Sequence, residues 1–556
     1  MAKNDYDKMN AKERAFALFT ACEEARRNGY DGKNSHEAAL ACWNEWAEPL
    51  LAERAKLEAD GEWAVKTGFD NEIDKYVVVG KNEETRDFLA RANIDADSFV
   101  FIERGWVDSD DSQPGKEEAG ETGKTIHCQL IKFDNFQFPG KTFFLSATFR
   151  GNASFNEVTF KGNTSFASAT FKGDVSFLAS TFQGCTLFGG AIFKDSLSFS
   201  QATFCDYLLL GHTIFEGDVS FFNSVLKGII SFNSSTFRGE ANFMGATFAN
   251  DAYFNGTFFE SGAYFNSAQF QCEAQFNSST INGTATFRNA SFMSDASFAH
   301  ATCNSCVDFS QASFHSACSF TALHSVRAIN LAGASFTSQV PQFTQAHFTE
   351  SPRLDHLHLP MVDPLSGRLP SPEGVKHGKK VDQDDVAAFT ALRHLALKGE
   401  DHETERMAFK GEMRSLRALK GAGFWYSLFS YAYDAITDFG ASYLRPLVLW
   451  GLLLASMMFH YQSASTVSLS ERPENCDSPY EHAALLSLHN GLLFATAGQR
   501  PFVLKAYHCL FGKKGTAPND VVPPAGLGLW GILQTSLSAV LIFFILLALR
   551  NRFKIK

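Results

Sequence analysis

Ala169-Thr170-Phe171-Lys172-Gly173-Asp174-Val175-Ser176-Phe177 is the stretch that decides the fold: two Phe six residues apart, a slender residue two places before each, and Gly two places after the first. It is one unit of a long register. From Phe149 the aromatic positions advance by six and five through Phe155, Phe160, Phe166, Phe171, Phe177, Phe182, Phe188, Phe193, Phe199 and Phe204, a period of eleven. Carried to Phe320, the register has 32 positions, of which 28 are Phe; the exceptions are Leu210, Leu226, Ile281 and Cys303. Small or slender residues precede the Phe by two, as at Ala153, Ala169, Val175, Ser180, Ala202 and Ala246, and Gly often follows by two, as at Gly151, Gly162, Gly184, Gly217 and Gly239.

An eleven-residue period also suits a right-handed helical coiled coil. The composition opposes it, because Gly, Ser, Thr and Asn disfavour long helices and Phe is a middling helix former. Short extended faces joined by tight turns fit better, each coil stacking on the last, with Gly or Asn relieving the corners. These blocks resemble the phenylalanine-rich branch of the pentapeptide-repeat proteins, over roughly residues 133–348. The resemblance implies a mainly β fold, a right-handed quadrilateral β-helix in which the central apolar residue and the small one two before it point inward. Steps of five and six would then give 22 residues per coil, and 149–336 would hold about 8.5 coils, a rod roughly 40 Å long. A flattened two-sided coil of 11 residues, about twice as long, is the alternative. Each buried Phe would contribute about 1.5 to 3 kcal/mol, so the rod should be stiff.

Composition bounds the rest. A chain of 556 residues is expected to form several domains. Its 60 acidic and 49 basic residues, a formal net charge of -11, exclude a basic nucleic-acid coat, and no nucleic-acid partner is expected. A hydrophobic content of 45% excludes wholesale disorder, and 11 Cys are too dilute for a disulfide framework.

Outward from the repeat, residues 1–60 read as a helical segment, with Leu40, Trp43, Trp46, Leu50 and Leu51 on one face after the cap candidate Ser35. Residues 61–132 read as a mixed α/β lead-in, with strand candidates at 76–79, 99–102 and 126–131 and an acidic loop at 108–124. The β-helix is expected over 133–350. Residues 351–384, with five Pro, read as a linker. Residues 385–442 read as two amphipathic helices, 385–397 and 402–419, and an interfacial helix carrying Phe424, Trp425, Tyr426, Tyr431 and Tyr433. The two amphipathic helices are expected to cap the open end of the rod, or else to form a docking collar.

Residues 443–556 read as a membrane domain with two transmembrane helices, about 444–461 and 526–549, the latter without a charge. Arg445, Arg550, Arg552 and Lys554 flank the spans, while 462–525 balances five basic against five acidic residues. Both ends are therefore expected in the cytoplasm, which agrees with a polar N-terminus lacking an export signal. The arrangement resembles membrane-anchored bacterial pentapeptide-repeat proteins, which implies a multi-pass inner (plasma) membrane protein with the N-terminus, β-helix and C-terminus cytoplasmic.

No catalytic constellation, cofactor site or metal site is expected. Cys303-Asn304-Ser305-Cys306 places Cys303 on the Phe register, where a structural thiol is favoured over metal or redox use. His356 and His358 alternate as on one strand face, too few for a metal site. Asn-x-Ser/Thr triplets such as Asn152-Ala153-Ser154 are by-products of the repeat. Cys476 and Cys509, in the segment expected outside, are candidates for a disulfide. The functional expectation is a non-enzymatic scaffold or protein-binding module held at a lipid bilayer, its protein partner and oligomeric state unspecified. One alternative is a small ion-channel-like protein, in which apolar 483–497 and the following Gly498-Gln499-Arg500-Pro501 form a re-entrant segment at 483–502 rather than an interfacial helix. Another, implied by the family, is a DNA-mimicking topoisomerase modulator, weakened by 13 acidic against 9 basic residues over 141–350.

Overall fold

In the computed structural model, the structure describes residues 52, 125–126, 130–135, 137–138, 142–149, 151–370, 378–419, 423–465, 467–468, 471–473, 476, 478–492, 500–522 and 524–553. The readings made for 1–60, apart from Ala52, and for 76–79, 99–102 and 108–124 lie outside the described residues. The chain divides into two compact units, 1–363 with 368–411 and 364–367 with 412–556.

The first unit holds a parallel β-solenoid of four sheets, with 11, 10, 10 and 9 strands. Each strand is two or three residues long, and each pairs with the strand one coil away: Thr148 with Thr170, Thr170 with Ile192, Val175 with Leu197. The pairing step of 22 residues makes the coil four-sided and excludes the 11-residue coil. Along each face the outward residue is half-exposed and the inward one buried, as in Thr170–Phe171 and Val175–Ser176, which is the period-two pattern of a strand.

The Phe rings fill the axis in two geometries. Rings one coil apart stack in parallel, as Phe171 on Phe193 at 4.7 Å and 1°, and Phe270 on Phe292 at 4.7 Å and 0°. Rings half a coil apart meet edge to face, as Phe254 and Phe265 at 5.5 Å and 90°. Both arrangements place a positive ring edge near a negative face or offset the faces, which favours them over random packing. Buried hydroxyls among the rings bond to carbonyls of the preceding coil; Thr257 Oγ1 donates to the Phe232 carbonyl at 2.9 Å.

The corners correct one expectation. Gly does not mainly supply positive φ. The five-residue steps turn through a left-handed residue that recurs every eleven positions, and most of these are Ser, Asn, Gln, His, Glu or Ala, as at Ser168 (φ 57°), Asn223 (φ 52°) and His300 (φ 58°). None of the left-handed corners is β-branched, where the penalty would be largest. The turn closes with a backbone hydrogen bond, Ala169 N to Phe166 O at 3.0 Å. The six-residue steps use Gly for a different reason: a Cβ on Gly239 would lie 2.4 Å from the Gly217 carbonyl of the coil before. Close backbone approach, not torsional freedom, selects that glycine.

The solenoid is longer than the Phe register. Among the described residues its first strand is Thr125–Ile126, which pairs with Thr148–Phe149, so the end of the expected lead-in already joins a coil. The solenoid also runs into the presumed linker, where Arg353 pairs with Asn330 and His358 with Ser335, and Leu354 and Leu357 are buried. The step there is 23 residues rather than 22, and Leu replaces Phe, so the register is lost to the eye while the coil continues. His356 is a left-handed corner and His358 a bridge residue, so the two do not share a strand face. With eleven strands about 4.8 Å apart, the longest sheet spans roughly 48 Å.

Helix α1 (Gln383–Lys398) closes the C-terminal end of this unit with α2 (His402–Ala418). Asp382 and Asp385 form a capping box at the start of α1. Leu392, Ala396 and Ala408 join the core of the last coils. Lys398 Nζ bonds the Phe348 carbonyl at 2.9 Å and Thr404 Oγ1 the Leu354 carbonyl at 3.3 Å, satisfying carbonyls that have no further strand to pair with.

The second unit is helical: α3 (Phe424–Thr437), α4 (Leu444–Ser463), α5 (Pro479–Gly491), α6 (Arg500–Phe511) and α7 (Leu527–Phe553). Among the described residues α4 and α7 are the two helices long and apolar enough to cross a membrane.

Candidate functional site

Several uncharged polar side chains of the helical unit meet in its interior. Gln534, in the first third of the apolar α7, is buried; its Oε1 accepts from Tyr461 Oη of α4 at 2.8 Å, and its Nε2 donates to the Ser487 carbonyl of α5 at 2.8 Å. Asn490 Nδ2 donates to Tyr461 Oη at 3.0 Å and Thr535 Oγ1 to the Asn490 carbonyl at 2.9 Å. Outward, α4 and α7 present Leu452, Phe459, Leu529, Ile532, Leu537, Phe543 and Leu546, all more than half exposed.

The helices between the two long ones pack beside them. Ser487 Oγ bonds the Leu454 carbonyl, halfway along α4, at 2.7 Å, and Trp450 Nε1 donates to the Gly491 carbonyl at 3.3 Å. A Cβ on Gly491 would meet Leu454 Cδ2 at 2.2 Å, so the end of α5 lies tight against α4. Helix α6 returns toward the far end of α4, where Ser465 Oγ bonds the Leu510 carbonyl. Cys476 and Cys509 are joined there by a disulfide with a Cα–Cα distance of 5.2 Å.

Helices α2 and α3 are locked by charge. Asp434 of α3 receives Arg414 Nη2 at 2.8 Å and Arg417 Nη2 at 2.9 Å, and Arg417 also stacks over the Tyr431 ring at 3.9 Å. Burial alone would raise the Asp434 carboxyl; the hydrogen bonds and charges of the two guanidiniums outweigh it and hold the group below its ordinary value. The opposite side of α3 leaves Phe424, Trp425 and Phe429 exposed.

On the solenoid, one sheet carries an outward column of Ser154, Ser176, Ser198 and Ser220 beside Asp174, Asp218 and Glu240, lining an open groove of 490 Å³. The acids also serve the fold, since Asp218 Oδ1 accepts from the Glu240 amide at 2.8 Å. A second column, Lys194, Glu216 and Arg238, is an ion-pair ladder along the coils. Cys303 fills a slot of the axial ladder, and burial pushes its thiol up to about 12; Cys306 is exposed.

The ladder Phe149 to Phe199 is buried throughout. Arg445 and Arg550 are exposed near the start of α4 and the end of α7. His460 of α4 packs on Trp530 of α7, and Phe544 packs on Tyr433 just before α4, so the two long helices run antiparallel and both arginines lie at one end. Arg552 closes α7 with its side chain outside the described residues, as is Lys554. The inward polar set, Gln534, Tyr461, Ser487 and Asn490, was not singled out from the sequence. An uncharged polar residue amid the apolar run 526–549 was its one available signal.

A four-sided parallel solenoid with an axial Phe ladder defines a structural repeat protein. The family model of pentapeptide repeats (9 copies) matches residues 133–181, 177–225 and 232–280. The matched coils carry pentapeptide repeats, and the coils of the solenoid continue in both directions past the matched residues. No curated protein and no solved structure matches the chain.

Proposed function

We propose that the chain is a non-enzymatic, membrane-anchored module that presents a rigid pentapeptide-repeat β-helix to a protein partner in the bacterial cytoplasm, with α4 and α7 crossing the inner membrane. The observation that carries the anchorage is the inverted polarity of the helical unit: Gln534, Tyr461 and Ser487 face inward and bond one another, while large apolar side chains face out. Water would reward the reverse arrangement; hydrocarbon rewards this one. The exposed aromatic side of α3, ahead of α4, suits the headgroup layer. The flat Ser/Asp groove of the solenoid suits a protein partner and lacks the cation surplus a nucleic acid requires. Exposed Cys306 tests the orientation: a membrane-impermeant maleimide should label it only after the inner membrane is permeabilised, while the buried Cys303 thiol stays unlabelled in both cases. Labelling of Cys306 in cells with an intact inner membrane would contradict the proposal.

A second reading draws on α5. If α4 spans, the bond from Ser487 to the Leu454 carbonyl puts α5 at mid-membrane depth, which favours a re-entrant segment over an interfacial helix and so a channel-like protein. Reconstituted full-length protein would then conduct ions across liposomes, and deletion of 483–502 would abolish the flux; no flux from the intact chain excludes this reading.

A further inference from the structure

Three ligand-type side chains converge at one end of the helical unit. Cys476, Cys509 and His482 have their sulfur and ring-nitrogen atoms within 4.8 Å of one another, and both sulfurs are buried. His482 Nδ1 is itself buried and makes no hydrogen bond, an unfavourable arrangement unless another state of the site uses the atom. The cysteines are joined in the oxidised protein, which leaves neither sulfur able to bind a metal strongly. Two thiolates and one imidazole are the donor set that divalent zinc or cobalt takes in tetrahedral sites, with one position left open.

We propose that reduction of the Cys476–Cys509 disulfide converts this cluster into a three-ligand site for a divalent transition-metal ion, with His482 as the third ligand. The step balances with a dithiol reductant. The reductant gives two electrons and two protons to the sulfur–sulfur bond, leaving two cysteine thiols and its own cyclic disulfide. The metal dication then displaces both thiol protons, forming two metal–sulfur bonds and one metal–nitrogen bond to the neutral imidazole, and water fills the fourth position. The Cα–Cα distance of 5.2 Å keeps the two sulfurs close enough to share one ion. Disulfide and metal are therefore alternatives at a single place, and the redox poise of the surroundings selects between them.

Cobalt(II) is the probe. Full-length protein in detergent is reduced with dithiothreitol, desalted without oxygen and titrated with cobalt chloride, alongside oxidised protein. The reduced chain should develop a thiolate-to-cobalt charge-transfer band saturating at one ion per chain, absent from the oxidised chain. Cys476→Ser/Cys509→Ser should lose the band, which separates it from any due to other cysteines. His482→Ala leaves both cysteines in place and should bind about tenfold more weakly or worse after reduction. Absence of the band in the reduced chain, its persistence in the double serine variant, or unchanged affinity in His482→Ala would each overturn the proposal.

Discussion

Phe254 shows how a single side chain works in this fold. It stacks on Phe232 at 4.9 Å and on Phe276 at 4.6 Å and meets Phe243 and Phe265 edge to face. Phe254→Ala removes one rung from a ladder that cannot collapse, because the coils on either side are fixed by their strand pairing. The expected cost is about 3 to 5 kcal/mol, read as faster hydrogen exchange in the amides of the adjoining coils. Exchange confined to wild-type rates would contradict the packing. The left-handed corners are the opposite case, individually unfavourable by about 1 to 2 kcal/mol each and held by the hydrogen bonds and ring stacking around them. Phe spacing was legible in the sequence because every ring occupies an equivalent slot. The corner chemistry was not, because Ser, Asn, Gln, His and Ala are interchangeable there and leave no single-letter signature.

At the scale of elements, the lock between α2 and α3 is the most sensitive point. Arg417, with a side chain 2% exposed, has Asp434 as a buried counter-charge. Asp434→Asn should destabilise the helical unit by about 3 to 5 kcal/mol, seen as a lower thermal transition of the full chain in detergent. Because the Asp434 pKa is depressed, the wild-type contribution is complete above the ordinary carboxylate range and disappears as the pH falls through the depressed value. The variant should lose that acid sensitivity; an unchanged transition at neutral pH would contradict the buried pair. Helix boundaries for α1, α2, α4 and α7 could be read within a few residues, since apolar runs and caps are local signals. The placement of α5 against Leu454 could not, because it depends on one serine, one glycine and a glutamine far along the chain. The end of the solenoid was obscured by a single inserted residue and a change from Phe to Leu.

The whole molecule contains two kinds of core. One is a column of aromatic rings wrapped by four sheets, the other a helical unit with Gln534, Tyr461 and Ser487 bonded in its interior and many large apolar side chains on its outside. The described faces of the first unit carry Ser, Thr, Asn and charges. The second exposes a broad apolar face, which on the proposed reading is covered by hydrocarbon. The direct measurement is therefore fractionation of cells expressing the full chain, with membranes washed in alkaline carbonate and then extracted with detergent. The chain is predicted to stay with the membranes through the wash and to be released by detergent; its recovery in the aqueous wash would contradict the account.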